Sequence, residues 1–454
     1  MLVPEASMGD LGLSPTRVAS RQTAFGFALA ALRGTGVHPG EMLAFFVPGR
    51  IEVLGKHTDY AGGCSLLCTT EQGFCVVARP RRDATVTVMD AATLEVVQTS
   101  LAAPVEPTRG HWGNYPQTVV RRVARNFPDA RVGADIAFGS DLPPAAGLST
   151  SSAFMIGVFL VVAHLNRLDT TPRFTTAISN PEALAGYLAT VENGRSFGTL
   201  GGDRGVGTFG GSEDHTAILC CRRGAFSQYR FGPAVFERNV MMPAGHTLVV
   251  AASGIVAEKT GSALEAYNRA ARSAARALDL WCQQTGREDP TLSAAVTSGP
   301  DARLRMHRLL EAADLEQSGE TALWARVEQF CVESLDVIPA AGDALAAGDL
   351  TRFGVLVDRS QDAVERWLGN QVPETITLAR TARDGGAVAA SAFGAGFGGS
   401  VWAMVRSDCV EGFRQWWPRR YHTMHPAAAA RASFFETHPG SPAVRLDPAE
   451  LGIC

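Results

Sequence analysis

A chain of 454 residues with 46% apolar and 19% charged residues has enough apolar surface for two or three folded domains, and this composition excludes a disordered protein. The net charge of −4, without a long basic run, argues against nucleic acid as the main partner. Nine scattered cysteines, an odd number without CxxC pairs, indicate a reducing compartment rather than a disulfide framework.

The N-terminal region lacks the basic start and apolar run of a signal peptide. The longest apolar run, residues 153–165, is too short to span a bilayer. We therefore expect a cytoplasmic protein without a membrane partner.

The pattern of apolar residues, glycines and prolines predicts alternating strands and helices. The predicted strands cover about residues 43–47, 65–78, 85–90, 132–138, 247–252, 387–393 and 401–405. The predicted helices cover about residues 17–32, 116–126, 153–166, 181–192 and 260–284, with further helices within 300–385. We divide the chain into an arm and helix (1–35), two domains (36–240 and 241–425) and a peripheral tail (426–454), and the start of the arm is expected to be loose.

Polar and apolar residues alternate after the first predicted strand, so Arg50 and Glu52 share one face of an extended segment. The following turn carries Lys56, His57 and Asp59. The segment is not a P-loop of the GxxxxGK[ST] type, because five residues separate its glycines and a histidine follows the lysine.

A loop rich in small and hydroxyl residues, Ser140 to Ala153, precedes the apolar run and predicts the start of a helix. Free backbone N–H groups and partial positive charge at a helix N-terminus suit a phosphate, and the hydroxyls of Ser149 to Ser152 add donors. The alternative is an ordinary N-cap with nothing bound.

Two glycine-rich segments lie further along the chain. Residues 194–211 contain too much glycine for a packed element and predict a functional or mobile loop. Gly394-x-Gly396-x-x-Gly399 matches the dinucleotide-binding pattern, but a strand-like segment follows it where that pattern requires a helix. We therefore expect a glycine turn that joins two strands.

Three of these stretches, in this order, resemble motifs of the galactokinase branch of the GHMP sugar kinases. They are the segment from Pro48 to Tyr60, the loop from Pro143 to Ala153 and the glycine turn from Phe393 to Ser400. The resemblance covers roughly residues 40–405. It implies an α/β (α+β) fold of two domains with the active site in the cleft between them, and a sugar and ATP as small-molecule partners, with Mg²⁺ as the cofactor.

The resemblance also implies roles for individual residues. Asp214 would be the carboxylate beside the anomeric hydroxyl of the sugar, and Arg50 the nearby arginine. The substrate would contact Lys56, His57, Asp59, Gly211 and Tyr267. ATP would contact Pro144, Ala145, Ala146, Gly147, Leu148, Ser149, Thr150, Ser151 and Ser152. Magnesium would be held by Ser151 and Glu192, and the site would be supported by Gly394, Gly396, Gly398 and Gly399.

These residue types suit phosphoryl transfer, which depends mainly on positioning and charge stabilisation. An aspartate takes or orients the hydroxyl proton, and an arginine beside it keeps it ionised. Carboxylate and hydroxyl oxygens are suitable ligands for magnesium.

The sequence departs from the family pattern at three places. Lys56 replaces a glutamate associated with the far end of the sugar, and an ammonium donates hydrogen bonds where a carboxylate accepts them. Ala145 and Ala146 replace loop glycines, which is tolerable only where the backbone avoids positive φ. The segment between Glu192 and Asp214 is longer than in the family.

The leading hypothesis is an ATP-dependent kinase that phosphorylates the anomeric hydroxyl of galactose or a close relative. Lys56 motivates the alternative of a kinase for a uronate or arabinose. A third possibility is a sugar- and ATP-binding sensor without turnover. The sequence gives no indication of the oligomeric state.

Overall fold

The computed structural model describes residues 2–32, 42–107, 110–143, 146–255, 261–315 and 322–451. The strands are β1 Glu5–Ala6, β2 Leu43–Leu54, β3 Cys64–Pro80, β4 Thr85–Asp90, β5 Val96–Ser100, β6 Ala134–Ser140, β7 Ala225–Arg230, β8 Val235–Met241, β9 His246–Ala252, β10 Ala389–Phe393, β11 Ser400–Arg406, β12 Ser433–Thr437 and β13 Val444–Leu446.

The helices are α1 Pro15–Leu32, α2 Asn114–Asn126, α3 Thr150–Leu165, α4 Pro172–Ala177, α5 Pro181–Asn193, α6 Glu213–Cys220, α7 Gly261–Thr285, α8 Leu292–Val296, α9 Ala302–Leu315, α10 Leu323–Cys331, α11 Ile338–Ala346, α12 Leu350–Ala363, α13 Pro373–Asp384, α14 Val410–Met424 and α15 Pro426–Ala429. The helices predicted with stated bounds are all present, whereas α4, α6, α8, α14 and α15 lie outside the predicted ranges. Two π-helical segments follow α10 and α12, at Val332–Val337 and Val364–Leu368. Helices and sheets are both present, so the α/β prediction is confirmed.

The larger sheet has nine strands within the described part of the chain, in the order β1-β13-β2-β3-β6-β4-β5; β7 also pairs with β3, and β8 pairs with β7. Most neighbours are antiparallel, and the β1–β13 and β4–β6 pairs are parallel. The smaller sheet is antiparallel in the order β10-β11-β9-β12. The chain passes from the larger to the smaller sheet between β8 and β9.

The core explains why β2 and α3 are almost entirely apolar. Alternate side chains of β2 enter different clusters: Phe45 and Val47 belong to the main core with α3, whereas Ala44 and Phe46 pack with α1. Residues 43–47 of β2 are covered on both faces and have no solvent side, so this half of the strand lacks the polar alternation that Arg50 and Glu52 show in the other half. Helix α3 is likewise buried on nearly all sides.

The two sheets are tied together directly. The indole N–H of the fully buried Trp402, on β11, donates to the carbonyl of Val53 on β2 at 3.2 Å. This bond fixes the smaller sheet against the strand that carries Arg50 and Glu52. Among the described residues, no helix is both long and apolar enough to cross a bilayer.

The two chain ends differ from the sequence-based expectation. The tail expected to be peripheral supplies β12 to the smaller sheet and β13 to the larger one. The arm expected to be loose supplies β1, which pairs with β13. Short strands with few apolar residues give a weak local signal, and only their partners reveal them.

Candidate active site

A cavity of about 720 Å³ opens where β2, the start of α3, the start of α6 and the β10–β11 turn converge. Its lining includes most of the residues that the sequence analysis assigned to the site. From that set it contains Arg50, His57, Asp59, Gly147, Ser149, Thr150, Ser151, Glu192, Gly211, Asp214, Tyr267 and Gly394. Residues separated by more than 300 positions in sequence therefore share one space.

The Arg50–Asp214 ion pair lines this cavity. Both Nε and Nη2 of Arg50 lie 2.7 Å from Oδ1 of Asp214. The remaining terminal nitrogen of Arg50 donates to the carbonyl of Gly147, so one guanidinium joins β2, α6 and the loop before α3. Burial opposes the charge on Arg50, but Asp214, Glu52 and Glu213 outweigh it and raise the arginine pKa.

Helix α3 begins at the cavity wall, and its first turn lacks a side-chain cap. Ser149 occupies the N-cap position with φ 56° and makes no capping hydrogen bond. Ser149 Oγ and Thr150 Oγ1 are buried and have no hydrogen-bond partner among the described residues. Unmatched hydroxyls beside free helical N–H groups cost free energy unless a ligand binds them. The local geometry is that of an anion site.

The rest of this loop is held by neighbouring elements. Of the positions assigned to ATP, Pro144 and Ala145 lie outside the described residues. Ala146 avoids the left-handed region, as the replacement of a glycine requires, and its carbonyl accepts a hydrogen bond from Ser400. The carbonyl of Leu148 accepts from the backbone N–H of Arg50 at 3.2 Å.

The hydroxyl that contacts Glu192 belongs to Ser152, not to Ser151. Ser152 Oγ donates to Glu192 Oε2 at 2.8 Å and lies 3.5 Å from Asp214 Oδ2. Ser151 lines the cavity one position earlier. A helix turns about 100° per residue, so adjacent hydroxyls point in different directions and the repeat of hydroxyl residues alone does not distinguish them.

The described residues contain no cluster of three or more His, Cys, Asp or Glu side chains that could hold a metal ion. A carboxylate near hydroxyls at a phosphate site nevertheless fits magnesium, which usually takes one or two protein carboxylates and completes its shell with water and phosphate oxygens. Glu192, Ser151 and Ser152 meet that description. His215 Nε2 lies 3.5 Å from Glu192 Oε2 and forms part of the same surroundings.

The turn after β2 places two predicted substrate residues, His57 and Asp59, in the cavity lining. Asp59 accepts hydrogen bonds from the backbone N–H groups of Tyr60, at 2.8 Å, and Glu213, at 3.1 Å. Burial raises the pKa of Asp59, and these two bonds work against the rise. A side chain on Gly211 would overlap Asp59, so a glycine is required for this close approach.

His57 is fixed by a chain of hydrogen bonds. Its Nε2 lies 3.1 Å from the carbonyl of Ala395, which can only accept, and its Nδ1 lies 2.9 Å from the hydroxyl of Tyr60. Nε2 is therefore the protonated nitrogen in this arrangement. Arg326, on α10, donates to the same tyrosine hydroxyl at 3.1 Å, and the ring of Tyr267 lies 5.2 Å from that of His57.

Lys56 lies outside the cavity lining, which differs from the expectation that it contacts the substrate. The side chain is fully buried, and Nζ donates to Ser360 Oγ on α12 at 3.1 Å. Neighbouring residues of one turn point in different directions, so Lys56 enters the protein interior while His57 faces the cavity.

The glycine turn between β10 and β11 is confirmed as a connection between two strands, with Phe393 paired to Ser400. Its four predicted glycines, at positions 394, 396, 398 and 399, all have positive φ. A β-carbon on Gly394 or Gly396 would also meet backbone atoms of Gly147 or Asn370. The turn thus packs directly against the loop before α3.

The loop over residues 194–211 is attached to its neighbours at several points. Arg121 on α2 forms two hydrogen bonds with Asp203, at 2.6 and 2.7 Å. Asn268 on α7 holds the far end of the loop, accepting from the N–H of Phe209 and donating to the carbonyl of Gly207. The loop is therefore a positioned wall that brings Gly211 to the cavity.

Sequence reasoning missed two groups of lining residues. Glu52 and Glu213 line the cavity. Glu52 lies two positions after Arg50 on β2 and Glu213 one position before Asp214 on α6, and this closeness in sequence could have identified them. An aromatic wall, defined as Phe74, Trp112, Phe138 and Phe154, covers another side. Its members come from three secondary-structure elements and the loop before α2, so no local sequence pattern predicts this aromatic wall.

Two regions of the chain match known protein families. Residues 35–80 match the galactokinase galactose-binding signature, and residues 114–203 match the GHMP kinases N-terminal domain. The first contains Arg50, His57 and Asp59, and the second contains the start of α3 and Glu192. The two matched regions thus carry most of the cavity wall that the first half of the chain supplies.

Galactokinases from several bacteria are similar over most of the chain. The protein from Roseiflexus sp. (strain RS-1) is 29% identical over 392 residues, which cover 85% of this chain and 89% of the relative. The protein from Actinobacillus pleuropneumoniae is 27% identical over 376 residues, covering 82% and 87%.

Solved structures show the same fold. The galactokinase of Lactococcus lactis, crystallised with galactose, superposes with a TM-score of 0.75 at 24% identity and covers 94% of this chain and 99% of its own. The mevalonate kinase of L. major, in complex with R-mevalonate, superposes with a TM-score of 0.53 at 15% identity, covering 88% and 96%. The matched regions, the relatives and the geometry of the cavity agree in their similarity to galactokinases and other GHMP kinases.

Proposed function

We propose that the protein transfers the γ-phosphoryl group of ATP to the anomeric hydroxyl of galactose or a closely related sugar. The observation that carries this proposal is one cavity that holds both the Arg50–Asp214 pair and the uncapped start of α3. An acid–arginine pair suits the acceptor hydroxyl, and a helix N-terminus with unmatched hydroxyls suits the phosphates.

Asp214 accepts the proton of the anomeric hydroxyl as that oxygen bonds to the γ-phosphorus. The bond from the γ-phosphorus to the bridging oxygen breaks, and ADP leaves with that electron pair. Arg50 holds Asp214 through its Oδ1 atom and supplies positive charge beside the transferred group. Because Arg50 also binds the carbonyl of Gly147, it fixes the distance between the acid and the phosphate loop.

The nucleotide phosphates would bind the N–H groups of the first turn of α3 and the hydroxyls of Ser149, Thr150 and Ser151. Glu192, with Ser151 or Ser152, would hold Mg²⁺. When bound, that ion would neutralise charge on the phosphate oxygens. The aromatic wall gives a flat apolar surface on which a purine ring can stack.

The sugar would lie against the turn after β2. His57, Asp59, Gly211 and Tyr267 line the cavity, and the carboxylate of Asp59 offers acceptors for sugar hydroxyls. The proposal places the protein in the cytoplasm, where ATP is available and thiols stay reduced. The eight described cysteines are all free.

The test is sugar-dependent ADP release by the purified protein with magnesium and ATP, over a panel of hexoses, pentoses and uronates. We expect release with galactose and a product whose phosphate is attached to the anomeric carbon, identified by ³¹P and ¹³C NMR. Sugar binding without any ADP release would instead identify a sensor. A product phosphorylated at another carbon would exclude the 1-kinase.

A further inference from the structure

Two buried glutamates of the cavity take no part in the proposed phosphoryl transfer. Glu52 lies on β2 beside Arg50, and Glu213 begins α6 beside Asp214. Both line the cavity although their residues are only 3% and 5% exposed, and their carboxyl groups hydrogen-bond to each other. We call them the acid pair.

Two carboxyl groups form a hydrogen bond only when one of them carries a proton. Burial and the neighbouring carboxylate raise the pKa of Glu213 well above its ordinary value, and burial raises that of Glu52 to about 7. Ser65 Oγ donates to Glu213 Oε2 at 2.6 Å. Oε1 of Glu52 is buried, and no N–H or hydroxyl group of the described residues donates to it.

The surroundings of the acid pair are more acidic than basic. The charged or titratable groups that face it are Arg50 on β2, Lys56 and Asp59 on the following turn, Asp214 on α6 and Glu333 on the segment after α10. Asp214 already matches the charge of Arg50. Lys56 partly offsets the remaining carboxylates, but it does so from inside the protein and not from the cavity wall.

We propose that the acid pair is a specificity determinant that admits sugars with hydroxyl or ammonium donors and rejects sugars with a carboxylate. This inference rests on the proposed function, because it concerns the acceptor sugar of the same site. A carboxylate in the cavity wall accepts hydrogen bonds from a hydroxyl or an ammonium group and attracts the ammonium charge. A substrate carboxylate meets like charge in a poorly solvated space. This reverses the preference for uronates that Lys56 suggested in the sequence.

The experiment compares three sugars that differ only at carbon 6: galactose, galacturonate and 6-amino-6-deoxygalactose. Their dissociation constants are measured by calorimetry, without ATP, for the wild-type protein and for Glu52→Gln. We expect the wild type to bind galacturonate at least about tenfold more weakly than galactose, and the amino sugar at least as well as galactose. In Glu52→Gln the penalty on galacturonate should shrink at least about fivefold, because the amide keeps the size and removes the charge.

The matched control is Asp90→Asn, which removes a carboxylate from the cavity lining next to the aromatic wall, where Asp90 pairs with Phe138. It should leave the galacturonate-to-galactose ratio unchanged. A measurement on the wild type needs no variant: the penalty on galacturonate should grow between pH 6 and pH 8 as the acid pair loses its shared proton.

Three results would overturn the inference. They are equal wild-type affinities for galactose and galacturonate, an unchanged ratio in Glu52→Gln, and an equal change in Asp90→Asn. ADP release with galactose, measured on the same preparations, reports separately on the proposed function. Binding ratios that follow the acid pair without any turnover would therefore retain this inference and reject the kinase.

Discussion

Replacing Asp214 with asparagine is the most direct perturbation of the proposed chemistry. The amide keeps the size of the side chain and still offers Arg50 an oxygen, but it does not take a proton from the sugar hydroxyl. A positioned general base contributes about 10²–10⁴-fold in rate, which corresponds to about 3–5 kcal/mol of barrier. We expect Asp214→Asn to lower kcat by this factor while the KM for ATP stays within about threefold.

The same change has a calculable effect on stability. Arg50 makes two contacts of 2.7 Å with one carboxylate oxygen, and its side chain is only 5% exposed. Hydrogen bonds to a charged group contribute about 1.5–3 kcal/mol and neutral ones about 1, so the variant should lose about 1–2 kcal/mol of unfolding free energy. Glu52 and Glu213 stay close to Arg50 and limit the loss. Urea unfolding monitored by tryptophan fluorescence measures this difference.

Asp135→Asn is the matched control, because Asp135 is a buried aspartate that binds Arg79 and Arg81 away from the cavity. It should lose a similar amount of stability with kcat within about twofold of the wild type. Asp214 is not the general base if folded Asp214→Asn retains more than a tenth of the wild-type kcat, or if both variants lose activity equally.

Three further predictions concern other parts of the site. Gly211→Ala should raise the KM for the sugar at least about tenfold, measured by steady-state kinetics, because the added β-carbon displaces Asp59. Glu52→Gln should weaken the pH dependence of the unfolding free energy. The pKa of Glu52 in the folded protein, about 7, lies above its ordinary value of 4.5, so the wild type loses stability as the pH rises from about 5 to 8. The urea midpoint of the variant should change less over the same pH range. Ser152→Ala should raise the magnesium concentration for half-maximal activity about tenfold, and Ser151→Ala should raise it less, because only Ser152 bonds to the carboxylate of α5.

Each of these predictions has a clear contrary result. Gly412→Ala, on the open surface of α14, should leave the KM for the sugar unchanged, so an equal rise there would remove the steric argument. Parallel stability curves for the wild type and Glu52→Gln would show that the acid does not titrate in this range. A larger magnesium effect in Ser151→Ala than in Ser152→Ala would favour the assignment made from sequence.

The sequence by itself determined the features that depend on near neighbours in the chain. Alternation placed Arg50 and Glu52 on one face of β2, since successive side chains of a strand point in opposite directions. A run of small and hydroxyl residues identified the start of α3, and the glycines of 394–399 identified a turn between two strands. These are short-range effects, so the local sequence is sufficient to predict them.

Only the tertiary structure decided which side chains meet. Lys56 turns into the interior, where it donates a hydrogen bond to Ser360. This partner lies 304 positions later in the chain, so the sequence around Lys56 does not reveal the contact. The orientation of successive side chains on α3 makes Ser152, and not Ser151, the hydrogen-bond partner of Glu192. The two chain ends form strands because each pairs with a strand of a sheet. Such contacts depend on the packing of distant segments against each other, and the free energy of that packing is not encoded in any single stretch of the chain.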